Sequence, residues 1–315
     1  MNASPAPDST FAWDQYWRDG RLASCGGEGG ATYQPAIAEG WRQFFATVPG
    51  AARILDVCSG NGAVARLVAE VASTRNIRVI IEAVDAADLH PTGTSPGSDM
   101  IRYSPRTPAE HLPFPDASFD VIVGQYAIEY TDLERTLAEL HRVGRHRAKL
   151  RFVTHAAGSI VVQEAKRQLA DTDRLMQTSV FETAEALARA IGVDQPAANI
   201  DDAKRRFLVA LQSLRDAEAT ADDLRMYRNV GSVLIHAIQH QPQVGPAAVL
   251  DKIAETATAI KAHHARLSAM CRAALDPASA KALTASAEQA WEAPFKLEPL
   301  VRSDGALFGW VIASA

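Results

Sequence analysis

The stretch from Arg53 to Glu70, RILDVCSGNGAVARLVAE, limits what this chain can fold into more than any other part of it. Ile54 to Val57 is apolar apart from one acid, Asp56, and reads as a short buried parallel strand. Cys58-Ser59-Gly60-Asn61-Gly62 is a turn of small residues. Ala63, Val64, Leu67, Val68 and Val71 then recur at helical spacing. Strand, glycine turn and helix are how a doubly wound α/β sheet opens a nucleotide site. The glycines let the backbone approach a ligand closely, and the helix N-terminus offers unpaired N–H groups.

Taken alone, Gly60-x-Gly62-x-x-Ala65 also fits a dinucleotide fingerprint, or a tight turn that holds no ligand. Asp56 separates these readings. An acid beside the turn suits a ligand carrying an ammonium and repels a pyrophosphate, which favours S-adenosylmethionine over NAD.

A length of 315 residues accommodates one large domain, or a domain with a sizeable insertion. The net charge of −5 argues against an extended phosphate-binding surface and so against a nucleic-acid partner. Cys25, Cys58 and Cys271 are far apart and odd in number, which gives neither a disulfide framework nor a zinc spacing; a reducing, cytoplasmic setting fits. The opening MNASPAPDST has no signal-peptide pattern and is expected to be disordered. No run reaches the roughly 18 uninterrupted apolar residues of a membrane span.

Phe11, Trp13, Tyr16 and Trp17 form an aromatic cluster ahead of Gly26-Gly27-Glu28-Gly29-Gly30, a pattern that suits either a lid or a simple apolar cover. A helix is expected from Tyr33 to Ala46, ended by Pro49-Gly50. Ile77 to Val84 reads as a second strand that ends at Asp85. In doubly wound sheets an acid there bonds ribose hydroxyls; Asp88 is the fallback, and capping the next element is the structural alternative. A short strand near Met100 to Tyr103, a strand over Phe119 to Val123, a helix capped by Asp132 and a strand over Leu150 to Thr154 follow.

From Ser159 to Ala290 the pattern turns helical. Asp201-Asp202 opens one helix, with Phe207, Leu208, Leu211 and Leu214 on one face. Pro246 opens another, whose stripe of Val249, Ile253, Ala257, Ile260, Leu267 and Cys271 serves either as core or as a helix-pairing seam. The final PFKLEPLVRSDGALFGWVIASA reads as a hairpin around Ser303-Asp304-Gly305. The expected organisation is therefore a tail and candidate lid over 1–32, a sheet core over 33–158 and 291–315, and a helical insertion over 159–290.

With these motifs in order, the chain resembles the class I S-adenosylmethionine-dependent methyltransferases, most of all the small-molecule branch that includes quinone-type enzymes. The likeness covers roughly 33–155 and the last twenty residues. ILDVCSGNG matches the family's first motif, with Cys58 where glycine is usual. AEHLPFPDASFDVIVGQYAIEY is similar to its segment from the adenine-contacting loop through the fourth strand, with Pro108 where an aspartate is frequent. The resemblance implies a Rossmann-like, seven-stranded, mostly parallel sheet closed by an antiparallel strand. It implies that Asp56, Cys58, Ser59, Gly60 and Gly62 hold the amino-acid end of the cofactor and Asp85 its ribose. Ala109 and Glu110 flank the adenine on this reading, and the Gln125 backbone lines the pocket.

Methyl transfer is an in-line displacement at a sulfonium carbon, and orientation with water excluded supplies much of its rate. Aromatic faces stabilise the sulfonium. Tyr126, Trp13, Tyr16, Trp17 and Tyr33 are the candidates for lining that space, with ordinary packing as the alternative for each. For an acceptor that needs a base, His155 follows the fifth strand directly and Glu129 is the second candidate. His236 and His240 lie four apart on an expected helix but lack a further ligand pattern, His263 and His264 point in different directions on a helix, and no metal is expected. The resemblance implies methyl transfer, and the Ala-, Leu-, Ile- and Val-rich insertion suggests a small, apolar or aromatic metabolite as acceptor, with the insertion as its cap or a homodimer contact. An NAD(P)-dependent oxidoreductase and a non-catalytic binding module stand as rivals.

Overall fold

The computed structural model of the chain describes residues 7–24, 35–192 and 196–315. Tyr33, Cys25 and the glycine run 26–30 lie outside the described residues. Two compact units emerge, one of residues 1–163 with 269–315 and the other of 164–268.

In the first unit the chain makes α1 (Pro7–Arg18), α2 (Pro35–Ala46), β1 (Arg53–Val57), α3 (Ala63–Thr74), β2 (Ile80–Val84) and β3 (Ile101–Ser104). It continues through β4 (Phe119–Gln125), α4 (Leu133–Val143) and β5 (Gly144–His155). The start of α1 at Pro7 corrects the expectation of disorder through residue 10. Aromatic residues at positions 11, 13, 16 and 17 supply an apolar face that a disordered tail lacks. β5 runs well before the expected Leu150, because its exposed first half, Gly144 to Lys149, gives no apolar signal.

The sheet is seven-stranded in the order β3-β2-β1-β4-β5-β7-β6, where β6 is Phe295–Val301 and β7 Leu307–Ser314. β1 to β5 are parallel, and β7 runs antiparallel to both β5 and β6, pairing Arg151 with Ala313 and His155 with Gly309. This is the sheet, with its reversed last strand, that the sequence predicts. Alternation along the strands feeds two cores. Ile54, Ile81, Val121 and Val123 pack under α2 and α3 with Trp41, Phe45, Val64 and Val68. Leu55, Val57, Ile122 and Leu150 pack against Leu137 and Leu140 of α4 and Ala280 and Leu283 of α10 (Pro277–Trp291). Burying each large side chain of this kind is worth about 1.5–3 kcal/mol. Where the sequence analysis carries the insertion to 290, α10 packs on α4 and β6 within the first unit.

The second unit takes in most of α5 (Ile160–Met176), then α6 (Val180–Gly192), α7 (Ala197–Glu218), α8 (Leu224–Val244) and most of α9 (Pro246–Ala273). Phe207, Leu211 and Leu214 meet Leu187, Tyr227 and Leu234 in its core. Val249, Ile253 and Ile260, three of the six residues of the stripe on α9, enter the same core. Asp171, fully buried, ties the α7–α8 turn by accepting from the backbone N–H of Asp222 and Asp223 at 3.0 and 2.8 Å. No helix among the described residues is long and apolar enough to cross a membrane.

Candidate cofactor site

Parallel strands deliver their ends to one edge of the sheet, and the turns there can approach a ligand. At the end of β1 the turn is built from three left-handed residues, Cys58 at φ 50°, Gly60 at 54° and Gly62 at 85°. Cys58 takes this conformation although its side chain disfavours it. Ser59 N–H donates to Val84 O at 2.9 Å, which ties the turn to β2.

Asp56 lies 1% exposed, its Oδ2 accepting from Ala65 N–H in the first turn of α3 at 3.1 Å. Its Oδ1 is buried and has no partner among the described residues. Desolvation pushes the carboxyl up to about 8, and the Asp85 charge adds to the rise. Asp85, at the end of β2, accepts from Gly60 N–H and Ala87 N–H, both at 2.8 Å. Burial raises it to about 6 in spite of those two bonds. Desolvation and then the charges of Asp85, Glu110, Glu129 and Asp56 hold the Cys58 thiol protonated. The edge thus carries several carboxyls short of counter-charge, a setting that favours a cation.

Glu129 sits in the short 3-10 turn Ile128–Tyr130 after β4, 3% exposed. Its Oε1 accepts from His155 N–H at 2.8 Å and its Oε2 from Ala127 N–H at 2.9 Å, so it clamps the ends of β4 and β5 together. Burial lifts it to about 7. Glu129→Gln leaves one of those two N–H groups facing an amide donor, and is expected to cost about 1–3 kcal/mol in denaturant unfolding.

His155 is buried, stacks on Tyr126 at 4.0 Å and lies edge-on to Tyr130 at 5.9 Å. Desolvation alone pulls its pKa down to about 3, and its Nδ1 finds no partner among the described residues. It stays neutral near pH 7 and accepts a proton poorly, against its expected use as a base.

The aromatic residues of α1 join this line. Trp13 is edge-on to Tyr130 at 5.9 Å and stacked on Trp17 at 5.8 Å. Rings therefore run without a break from the glycine turn to the end of β5. Tyr16 is packed on both tryptophans, and its hydroxyl donates to Ala23 O and Ser24 O, toward its own chain. Ala109 is buried in the core on the α4 side, and Glu110 accepts from Asp132 N–H at 3.0 Å. The Gln125 side chain turns away from the edge to accept from Trp41 Nε1.

Sequence reasoning passes over Asn61, which holds three backbone groups. Its Nδ2 donates to Trp17 O at 2.9 Å and to Arg21 O at 2.8 Å, and its Oδ1 accepts from His90 N–H at 2.8 Å. Its place between two turn glycines is the one signal that could have found it. Asp14 and Arg106, paired at 2.9 Å, carry no motif at all.

A family model described as a methyltransferase domain matches residues 55–152, from β1 through β5. That segment of the first unit is thus similar to a methyltransferase domain. Among solved structures, a putative methyltransferase from an antibiotic biosynthesis pathway of Anabaena variabilis is 19% identical at a TM-score of 0.31, over 41% of this chain and 50% of its own. An S-adenosylmethionine-dependent methyltransferase from Mesorhizobium loti is 24% identical at 0.31, over 39% and 56%. The 1,6-didemethyltoxoflavin-N1-methyltransferase of Burkholderia thailandensis, solved with 1,6-didemethyltoxoflavin and S-adenosylhomocysteine, is 17% identical at 0.37, over 50% and 68%. The chain spans half the length of the Anabaena protein. No curated protein matches it. Within the matched segment the β1 turn, Asp56 and Asp85 stand together at the carboxyl edge of the sheet.

Proposed function

We propose that the chain binds S-adenosylmethionine at the β1 turn and passes its methyl group to a small, apolar or aromatic acceptor. The observation that carries this reading is the buried, unpartnered Oδ1 of Asp56 beside the glycine turn. A desolvated carboxylate oxygen of that kind asks for a cation, and the ammonium of the cofactor supplies one. A diphosphate would add negative charge to an edge where burial already opposes the ionisation of Asp56, Asp85 and Glu129, which speaks against a dinucleotide.

S-adenosylmethionine supplies a methyl group on a positively charged sulfur. Asp56 and the backbone of Ser59, Gly60 and Gly62 would hold its amino-acid end and Asp85 its ribose, with Ala109 and Glu110 toward the adenine and the Gln125 backbone lining the pocket. Tyr126 and Tyr130 would exclude water and offer π faces to the positive charge, worth about 0.5–2 kcal/mol each. Both Glu129 oxygens are taken by backbone, and His155 is too weakly basic. The acceptor therefore brings a nucleophile that these two residues need not deprotonate, and the chain contributes orientation and desolvation. The helical unit is assigned acceptor choice or self-association; gel filtration and solution scattering distinguish a monomer from a dimer.

Isothermal calorimetry with S-adenosylhomocysteine and with NADH tests the cofactor. Binding of the first and not the second is expected, and the reverse would sink the proposal. Asp85→Ala should weaken S-adenosylhomocysteine by about 1.5–3 kcal/mol, roughly 10- to 100-fold, because a charged acceptor is lost. Unchanged affinity in that variant would move the ribose contact to another acid, with Asp88 next in line.

A further inference from the structure

The Trp17 indole lies against the one residue of the turn that has to stay open. A Cβ built on Gly60 falls 2.4–2.8 Å from three atoms of that ring, so no ligand atom fits between the Gly60 Cα and the indole. Trp17 is 6% exposed and packs on Ala87 and Leu89, just beyond Asp85. We propose that α1 is a latched strap whose Trp17 ring stands in the entry of the cofactor site, so that S-adenosylmethionine binds when the ring swings clear of Gly60. The proposal rests on the cofactor reading above.

Two features make α1 a displaceable element rather than a fixed wall. Its apolar anchor, Trp17 with Ala87 and Leu89 and the half-buried Trp13, Tyr16 and Tyr103, is a small cluster that meets the core under α2 and α3 at Tyr103. Elements held by few buried apolar contacts open at low cost. The remaining hold is polar. Arg106 Nη1 donates to both carboxylate oxygens of Asp14 at 2.9 and 3.2 Å, and Asp88 N–H donates to Asp14 Oδ1 at 2.7 Å. Asn61 grips the other end of the strap through Trp17 O and Arg21 O. Asn61 belongs to the glycine turn itself, so a ligand that shifts the turn loosens the grip on α1 in the same movement.

The test titrates S-adenosylhomocysteine into the full chain and into its Trp17→Ala and Asp14→Ala variants, and follows hydrogen exchange of the α1 amides with and without it. If the strap is open a minor fraction of the time, removing the plug or its ion pair raises affinity by the inverse of that fraction, roughly 5- to 50-fold. Exchange in α1 of the unaltered chain should speed up on binding. A Trp17→Ala variant that binds more weakly or equally would make the indole a wall of the site and overturn the strap, as would α1 amides that slow on binding. If Trp17→Ala does not fold, the exchange measurement on the unaltered chain decides alone. Binding by Trp17→Ala but not by the unaltered chain would support the strap. No binding by any of the three would overturn the cofactor reading together with the strap, whereas binding with slowed α1 amides overturns the strap alone.

Discussion

Replacing Asp56 with asparagine is expected to stabilise the protein at pH 8 and to weaken its binding of S-adenosylhomocysteine. The folded carboxyl holds its proton up to about pH 8, whereas in the unfolded chain it loses it near 3.8. Between those values the folded state binds a proton that the unfolded state does not, so this residue's contribution to stability falls as pH rises through the window. The cost is about 1–2 kcal/mol near pH 5 and up to ~5 kcal/mol near pH 8. Asparagine keeps an acceptor for Ala65 N–H but leaves its amide N–H2 unpaired, at about 1–3 kcal/mol. The net gain is therefore near zero at pH 5 and about 2–4 kcal/mol at pH 8, read by denaturant unfolding at both. A gain that shrinks with rising pH would mean that Asp56 is ionised in the folded chain. Loss of the ammonium partner should cut S-adenosylhomocysteine affinity by ~10- to 100-fold. In the unaltered protein the same raised carboxyls make binding of a cationic ligand tighten from pH 6 to pH 8, with proton release visible in calorimetry across buffers of different ionisation heat.

The second large effect belongs to Gly60→Ala. The new methyl enters the Trp17 ring at 2.4 Å, and the backbone at φ 54° strains any side chain. Left-handed alanine costs about 1–2 kcal/mol by itself, and overpacking adds about 1–3 kcal/mol. A destabilisation of roughly 2–5 kcal/mol with loss of S-adenosylhomocysteine binding is expected. Trp17→Ala in the same chain should return the overpacking part and leave the backbone strain, giving a coupling of about 1–3 kcal/mol in a double-mutant cycle. Additive effects would show that the two residues do not touch.

Much of the first unit could be read in advance because its signals are local. Ile54 to Val57 is too short and too apolar to be anything but a buried strand between small-residue turns, and Asp56 stands out within it. The terminal hairpin announced itself through Ser303-Asp304-Gly305. The site was less legible where it is assembled across the chain. Trp17 meets Gly60, Asp14 meets Arg106 and Asn61 meets Arg21 with no spacing that periodicity can register. Glu129 and His155 were visible as polar residues at strand ends. Their depth, which turns one into a backbone clamp and the other into a neutral ring, is a property of the packed sheet. In the second unit the apolar stripes on α7 and α9 were plain, but Asp223, whose side chain caps α8, lies among other acids and did not stand out.

The antiparallel pairing of β5 with β7 has a consequence for how this chain is made. Arg151 finds Ala313 across the whole helical unit and β6, so the sheet cannot be completed while a ribosome is still extending either. During that interval β5 offers a bare row of N–H and C=O groups to any extended segment nearby. Such long-range closure slows folding and prolongs exposure to aggregation. The order of synthesis thus leaves β5, inside the sheet, waiting longest for its second neighbour.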